Sequence, residues 1–100
     1  MRSKLMLSLL LLSAAATASD AGVKPKPGRW GFNWLDPDSP CKQITAKDLA
    51  PVKQCEASAN AFGIELKSQQ CKVSDDVEWV IYDTKAHCQQ AWETMRANGD

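Results

Sequence analysis

The sequence has few of the residues from which catalytic and metal-binding sites are usually built. Its 100 residues include one histidine, His87, and one tyrosine. It has no C-x-x-C pair, no G-x-S-x-G turn and no phosphate-cradling glycine loop. The signatures of structural zinc, thioredoxin-type redox chemistry and serine hydrolysis are therefore missing. We predict a protein that is not an enzyme and that has no catalytic residue, metal or cofactor.

An excess of one charge and a long apolar run are also lacking. Twelve Lys and Arg balance twelve Asp and Glu, and no basic cluster occurs. This pattern lacks the concentration of positive charge that is typical of proteins that bind nucleic acid or anionic lipid. The longest apolar run, residues 5–12, is interrupted by Ser8 and is far shorter than the ~20 residues that a membrane-spanning helix needs.

The N-terminus has the three-part pattern of a secretory signal peptide. Arg2 and Lys4 precede the apolar run, and small and polar residues follow it. The triplet Ala16-Thr17-Ala18 fits the A-x-A cleavage rule, so we predict that residues 1–18 are removed. The alternative is a retained N-terminal membrane anchor, against which the short run argues. We therefore expect an exported protein, periplasmic or extracellular, with no membrane span after cleavage.

The remaining chain is small and contains all of the cysteines. A domain of this size buries only about 60% of its unfolded surface, so its core alone is marginal. Four cysteines in a small exported chain predict two disulfides, each contributing ~2–4 kcal/mol to stability. The cysteines are Cys41, Cys55, Cys71 and Cys88.

The pattern along the chain predicts a small α+β domain, a helix, a β-hairpin and a second helix. Prolines and glycines in residues 19–29 indicate a flexible leader before a folded domain over residues 30–100. Apolar residues then recur at three- and four-residue steps from Cys41 to Phe62. With Ser39 as N-cap, they predict either one helix kinked at Pro51 or a break followed by a helix over residues 48–60.

The hairpin and the last helix have clearer signals. Residues 77–83 are rich in β-branched and aromatic residues, and residues 64–73 form a weaker strand candidate. A three-residue loop over residues 74–76 would place Val73 opposite Val77 and Cys71 opposite Trp79. Thr84 then caps a helix over residues 85–97, with an apolar stripe of Cys88, Ala91, Trp92 and Met95.

This order of elements suggests how the cysteines pair. The first strand would return antiparallel to the first helix and bring Cys71 near Cys41. The last helix would start near the end of the first one, which brings Cys88 near Cys55. We therefore predict Cys41–Cys71 and Cys55–Cys88, and the main alternative is Cys41–Cys55 with Cys71–Cys88.

The segment before the first helix is the candidate binding site. Its aromatic and apolar residues alternate as W-x-F-x-W-L, which is typical of an extended arm with one apolar face. They are Trp30, Phe32, Trp34 and Leu35. In one interpretation the arm completes the core. In the other it offers an aromatic patch or an added strand to a partner.

The function hypotheses follow from export and from this arm. The leading one is a non-enzymatic protein-binding module that acts on another exported protein or an envelope component. An apolar surface of several hundred Å² around the arm would mark it. The alternatives are a secreted inhibitor or effector that presents the loop at residues 74–76, and a small enzyme or ligand carrier with a polar-lined pocket of ~300 Å³ or more. A homodimer through the arm or the hairpin edge is compatible with each.

Overall fold

A computed structural model describes residues 24–99 of the chain. The predicted signal peptide, residues 1–18, and residues 19–23 of the predicted leader lie outside this range. Two helices are described, α1 at Ala46–Leu49 and α2 at Lys85–Gly99, with a 3₁₀ turn at Ala61–Gly63. The strands are β1 (Trp30–Asn33), β2 (Lys42–Gln43), β3 (Gln54–Ser58), β4 (Ser68–Lys72) and β5 (Glu78–Tyr82).

The five strands form one antiparallel sheet in the order β2-β1-β5-β4-β3. The α+β class is therefore confirmed. The prediction of two disulfides is also confirmed, as described below. The predicted arrangement of helix, hairpin and helix is corrected, because a five-stranded sheet with one long helix takes its place. No helix within residues 24–99 is both long and apolar enough to cross a membrane.

The hairpin and the last helix are as predicted. Val73 donates its N–H to the Val77 carbonyl at 3.0 Å, and Cys71 lies opposite Trp79. Alternation and turn chemistry act over a few residues, which is why the register could be predicted locally. Thr84 caps α2, since its hydroxyl accepts the His87 N–H at 3.1 Å.

The predicted first helix is wrong in both of its forms. Residues 40–60 instead form β2, α1 and β3, and only four of them are helical. The N-cap is Thr45 rather than Ser39, and Asp48 completes a capping box by accepting the Thr45 N–H at 2.9 Å. Pro51 follows the end of α1, where it interrupts no helical hydrogen bond.

Alternation along the strands divides the core between the two faces of the sheet. The face under α2, here called the α2 face, holds Phe32, Val80, Tyr82, Cys88 and Ala91. The opposite face, here called the α1 face, is covered by the segment that contains α1. It holds Ile44, Leu49, Val52, Cys55, Cys71 and Ile81.

The N-terminal arm is part of this sheet. Strand β1 pairs with β5 on one side and with β2 on the other. Gly31 lies at a close approach, because a Cβ there would be 2.7 Å from the Val80 carbonyl oxygen and 3.0 Å from Ile81 Cγ1. Both edges of the β4–β5 hairpin are thus paired within the chain, and the outer strands are β2 and β3.

Residues 24–29, which the sequence places in the leader, contact the domain. The Lys24 ammonium donates to the Leu49 carbonyl at 3.4 Å, and Pro25 is buried. The Gly28 N–H donates to the Ile44 carbonyl at 2.8 Å, and Arg29 forms an ion pair with Asp83. The contacts that attach the chain to the folded domain therefore begin before β1, at Lys24.

The disulfides are Cys41–Cys88 and Cys55–Cys71. Both the predicted pairing and its main alternative are wrong. Because residues 54–58 form a strand rather than a helix, Cys55 lies directly opposite Cys71, with a Cα–Cα distance of 4.1 Å. Cys41, just before β2, therefore forms its disulfide with Cys88 on α2.

Candidate functional site

The four residues predicted for partner binding do not share one surface. Phe32 is fully buried in the α2-face core, and Trp30 is half-buried, with the Lys85 ammonium 5.2 Å from its ring centroid. Trp34 and Leu35 are 40% and 38% exposed. The exposed part of the arm is therefore the pair Trp34 and Leu35, which directly follows β1.

Asn33 fixes the conformation of the chain at this pair. Its side chain is buried and joins three segments. The amide oxygen accepts N–H groups from Leu35 at 3.2 Å and Glu78 at 3.0 Å, and the amide nitrogen donates to the Asp76 carbonyl at 3.0 Å. A buried amide with these three bonds holds the loop after β1 against the tip of the β4–β5 hairpin.

The rest of this loop is attached to α2. We call residues 34–41 the Trp34 loop. The Trp92 indole N–H donates to the Ser39 carbonyl at 2.8 Å, and the Arg96 guanidinium donates to the Pro37 carbonyl at 2.8 Å. The Cys41–Cys88 disulfide closes its far end. The loop is thereby fixed at its start, middle and end, although most of its side chains are exposed.

The Phe62 ring packs against the exposed Trp34. This ring lies between Phe32, at a centroid distance of 5.8 Å, and Trp34, at 6.5 Å in an edge-on arrangement. The Phe62 backbone has φ of 59°, in the left-handed region that a bulky residue rarely adopts. Packing of the ring between two aromatic neighbours compensates for this strain, of order 1–3 kcal/mol. We call Trp34, Leu35 and Phe62 the aromatic patch.

The other side chains that could act in catalysis or metal binding are dispersed. His87 is exposed in the first turn of α2, and Asp75 and Asp76 are exposed at the hairpin tip. Asp36 accepts the Asp38 N–H at 2.9 Å, a turn bond within the Trp34 loop. Within residues 24–99, no group of three His, Cys, Asp or Glu side chains is placed to hold a metal ion.

Among residues 24–99, two groups have shifted pKa values. Burial acts to raise the pKa of Asp48, but hydrogen bonds from Lys42 and Thr45 and the Lys42 charge outweigh it, so the pKa is lowered. Burial raises the pKa of Tyr82, and the Ser68 hydroxyl opposes this effect only in part. The hydroxyls of Tyr82 and Ser68 are both buried, and neither makes a hydrogen bond of normal geometry with the described residues.

Sequence reasoning missed Asn33 and Phe62. The one available signal for Asn33 is its position, because a polar residue interrupts an otherwise apolar stretch. Nothing local marks Phe62, since its role depends on β1 being brought beside it.

Comparison with protein families, curated proteins and solved structures finds no match to the chain.

Proposed function

We propose that the chain is an exported, non-enzymatic protein-binding module whose contact site is the aromatic patch. The observation that carries this proposal is the exposure of Trp34 and Leu35 side by side on a loop that is fixed at both ends. Two disulfides in so small a domain agree with a chain made for an oxidising compartment.

A contact that uses only two side chains is favoured when the loop that carries them is already rigid before the partner binds. Tryptophan is among the residues that contribute most binding energy at interfaces. Ordering a flexible loop on binding costs about 0.5–1.5 kcal/mol per immobilised side chain. The bonds from Asn33, Trp92 and Arg96 hold the Trp34 loop before any partner arrives, so this cost is reduced.

The exposed area of the aromatic patch limits its affinity for a partner. A tryptophan can bury about 150–250 Å², so a side chain that is 40% exposed offers about 60–100 Å². This area is smaller than the several hundred Å² expected from the whole arm, because Phe32 is in the core. We therefore propose a small interface of the transient class, centred on Trp34.

Photo-cross-linking followed by affinity measurement tests the proposal. A photoreactive residue at position 35, in the exporting cell, identifies the protein that contacts the patch, and the same residue at position 75 is the control. Trp34→Ala should weaken binding of the purified partner about 30-fold, as for a 2 kcal/mol hot spot. Asp75→Ala should leave it unchanged. Equal affinity of wild type and Trp34→Ala would overturn the proposal, and a loss on Asp75→Ala would favour the inhibitor or effector hypothesis.

A further inference from the structure

The segment that contains α1 covers only half of its face of the sheet. Ile44, Leu49 and Val52 pack on the half that holds the Cys55–Cys71 disulfide. Beside it, the register aligns Ala57 with Gln69, Gln69 with Ile81 and Ile81 with Gly31. Ile44 covers the Gly31 and Ile81 end of this row, whereas Ala57 at the other end is exposed.

The next row along the strands carries charge. Continuing the same register places Ala59, Lys67, Asp83 and Arg29 side by side on this face. Arg29 and Asp83 form an ion pair whose side chains are 43% and 64% exposed. Lys67 is exposed and forms no ion pair with any residue from 24 to 99.

Together the two rows line an open groove of about 520 Å³. This volume lies in the range of sites for small molecules, about 300–1,000 Å³. The exposed apolar residues of the lining are Ala57 and Ala59, with the buried Ile81 beneath them, and Gln69 adds a polar side chain. Two cations against one carboxylate give the rim a surplus positive charge, although the whole sequence is neutral.

We propose that this groove binds a small amphipathic carboxylate. The apolar body would lie on Ala57 and Ala59, and the carboxylate would pair with Lys67 and Arg29. The surplus charge at one end of an apolar floor selects an anion over a neutral or cationic molecule of the same shape. Asp83 holds Arg29 in place but also repels the ligand, so it limits the affinity.

Titration of the isotope-labelled chain with octanoate, octanol and octylammonium tests the charge selectivity. At low salt, octanoate should shift the backbone amide resonances of residues 57, 69 and 81 saturably, with octanol weaker and octylammonium weakest. Lys67→Gln should weaken octanoate binding about two- to fivefold, as expected for one exposed charge pair. Asp83→Asn should tighten it. Lys72→Gln, on the other face of β4, is the matched control and should change nothing.

A variant that fills the groove with a larger side chain tests whether octanoate binds in it. Ala57→Phe puts a ring into the groove from an exposed position of β3 and should abolish binding, while Glu56→Phe puts the same ring on the opposite face and should not. No saturable shift at these residues, or equal binding of octylammonium, would overturn the proposal. Shifts there that grow with protein concentration alone would assign the groove to a second copy of the chain and also overturn it. Trp34→Ala should bind octanoate normally, which separates this inference from the protein-binding proposal.

Discussion

Replacing Tyr82 by phenylalanine tests whether its buried hydroxyl weakens the fold. Tyr82 is 1% exposed, and its ring packs in the α2-face core with Phe32 and Val80. Its hydroxyl lies beside that of Ser68 but makes no hydrogen bond of normal geometry with the described residues, and a buried group left unpaired costs about 1–3 kcal/mol. Phenylalanine keeps the ring and removes the hydroxyl. We therefore expect Tyr82→Phe to raise the free energy of unfolding by about 1 kcal/mol and Tm by roughly 4–8 °C.

Urea unfolding followed by tryptophan fluorescence measures this change. Ser68→Ala and the double variant complete a thermodynamic cycle, whose coupling energy should be near zero if the two hydroxyls do not bond to each other. A loss of 1 kcal/mol or more in Tyr82→Phe, together with a clear coupling energy, would refute the reasoning. It would show that the two hydroxyls form a hydrogen bond in solution.

The same residue gives an independent optical test. Tyr82 is the only tyrosine of the chain, so tyrosinate absorbance reports its ionisation alone. Because burial raises the pKa of Tyr82, the native protein should titrate above the ordinary value of about 10. The unfolded chain loses the proton first, so stability should fall as the pH rises above about 10, and Tyr82→Phe should lack that contribution. A native midpoint at or below the ordinary value would contradict the burial argument.

Three further predictions follow from the fold. Replacing both Cys41 and Cys88 by alanine opens a loop with a sequence separation of 47 residues and should cost about 4 kcal/mol in non-reducing urea unfolding; a cost under about 1 kcal/mol would contradict this. Gly31→Ala should lower stability by about 1–3 kcal/mol, because its Cβ meets backbone; an unchanged Tm would contradict the close approach. Asp48→Asn removes the charge that pairs with Lys42 and should cost about 0.2–1 kcal/mol at neutral pH. Because the pKa of Asp48 is lowered, this difference should vanish as the pH falls through that lowered pKa, and a difference that persists at pH about 2 would contradict it.

The elements that the sequence predicted well are those whose signals are local. The β4–β5 hairpin needs only alternation and a three-residue turn, and α2 needs only Thr84 and its apolar stripe. The first helix was wrong because its three- and four-residue spacing fits two different structures. Ile44 and Val52 are buried, as the pattern required, but a covering segment buries them as well as a helix would.

The candidate sites depend on pairings between distant parts of the chain. The partner of Cys55 follows from β3 lying beside β4, and the separation of Phe32 from Trp34 follows from β1 entering the sheet. The groove combines residues of β3, β4 and β5 with Arg29, which precedes β1, and the sequence shows no periodicity that joins them. A sequence pattern could indicate that the arm was apolar, but it could not indicate which side chains the sheet would bury.

The nested arrangement of the two cross-links has a consequence for resistance to proteolysis. A protease that cuts the backbone once anywhere between Cys41 and Cys88 leaves the two pieces covalently attached to each other. The exposed hairpin tip at residues 74–76 lies within that ring, as does the whole ring closed by Cys55 and Cys71. A single nick there would release no fragment, so the cleaved chain would still carry its Trp34 loop.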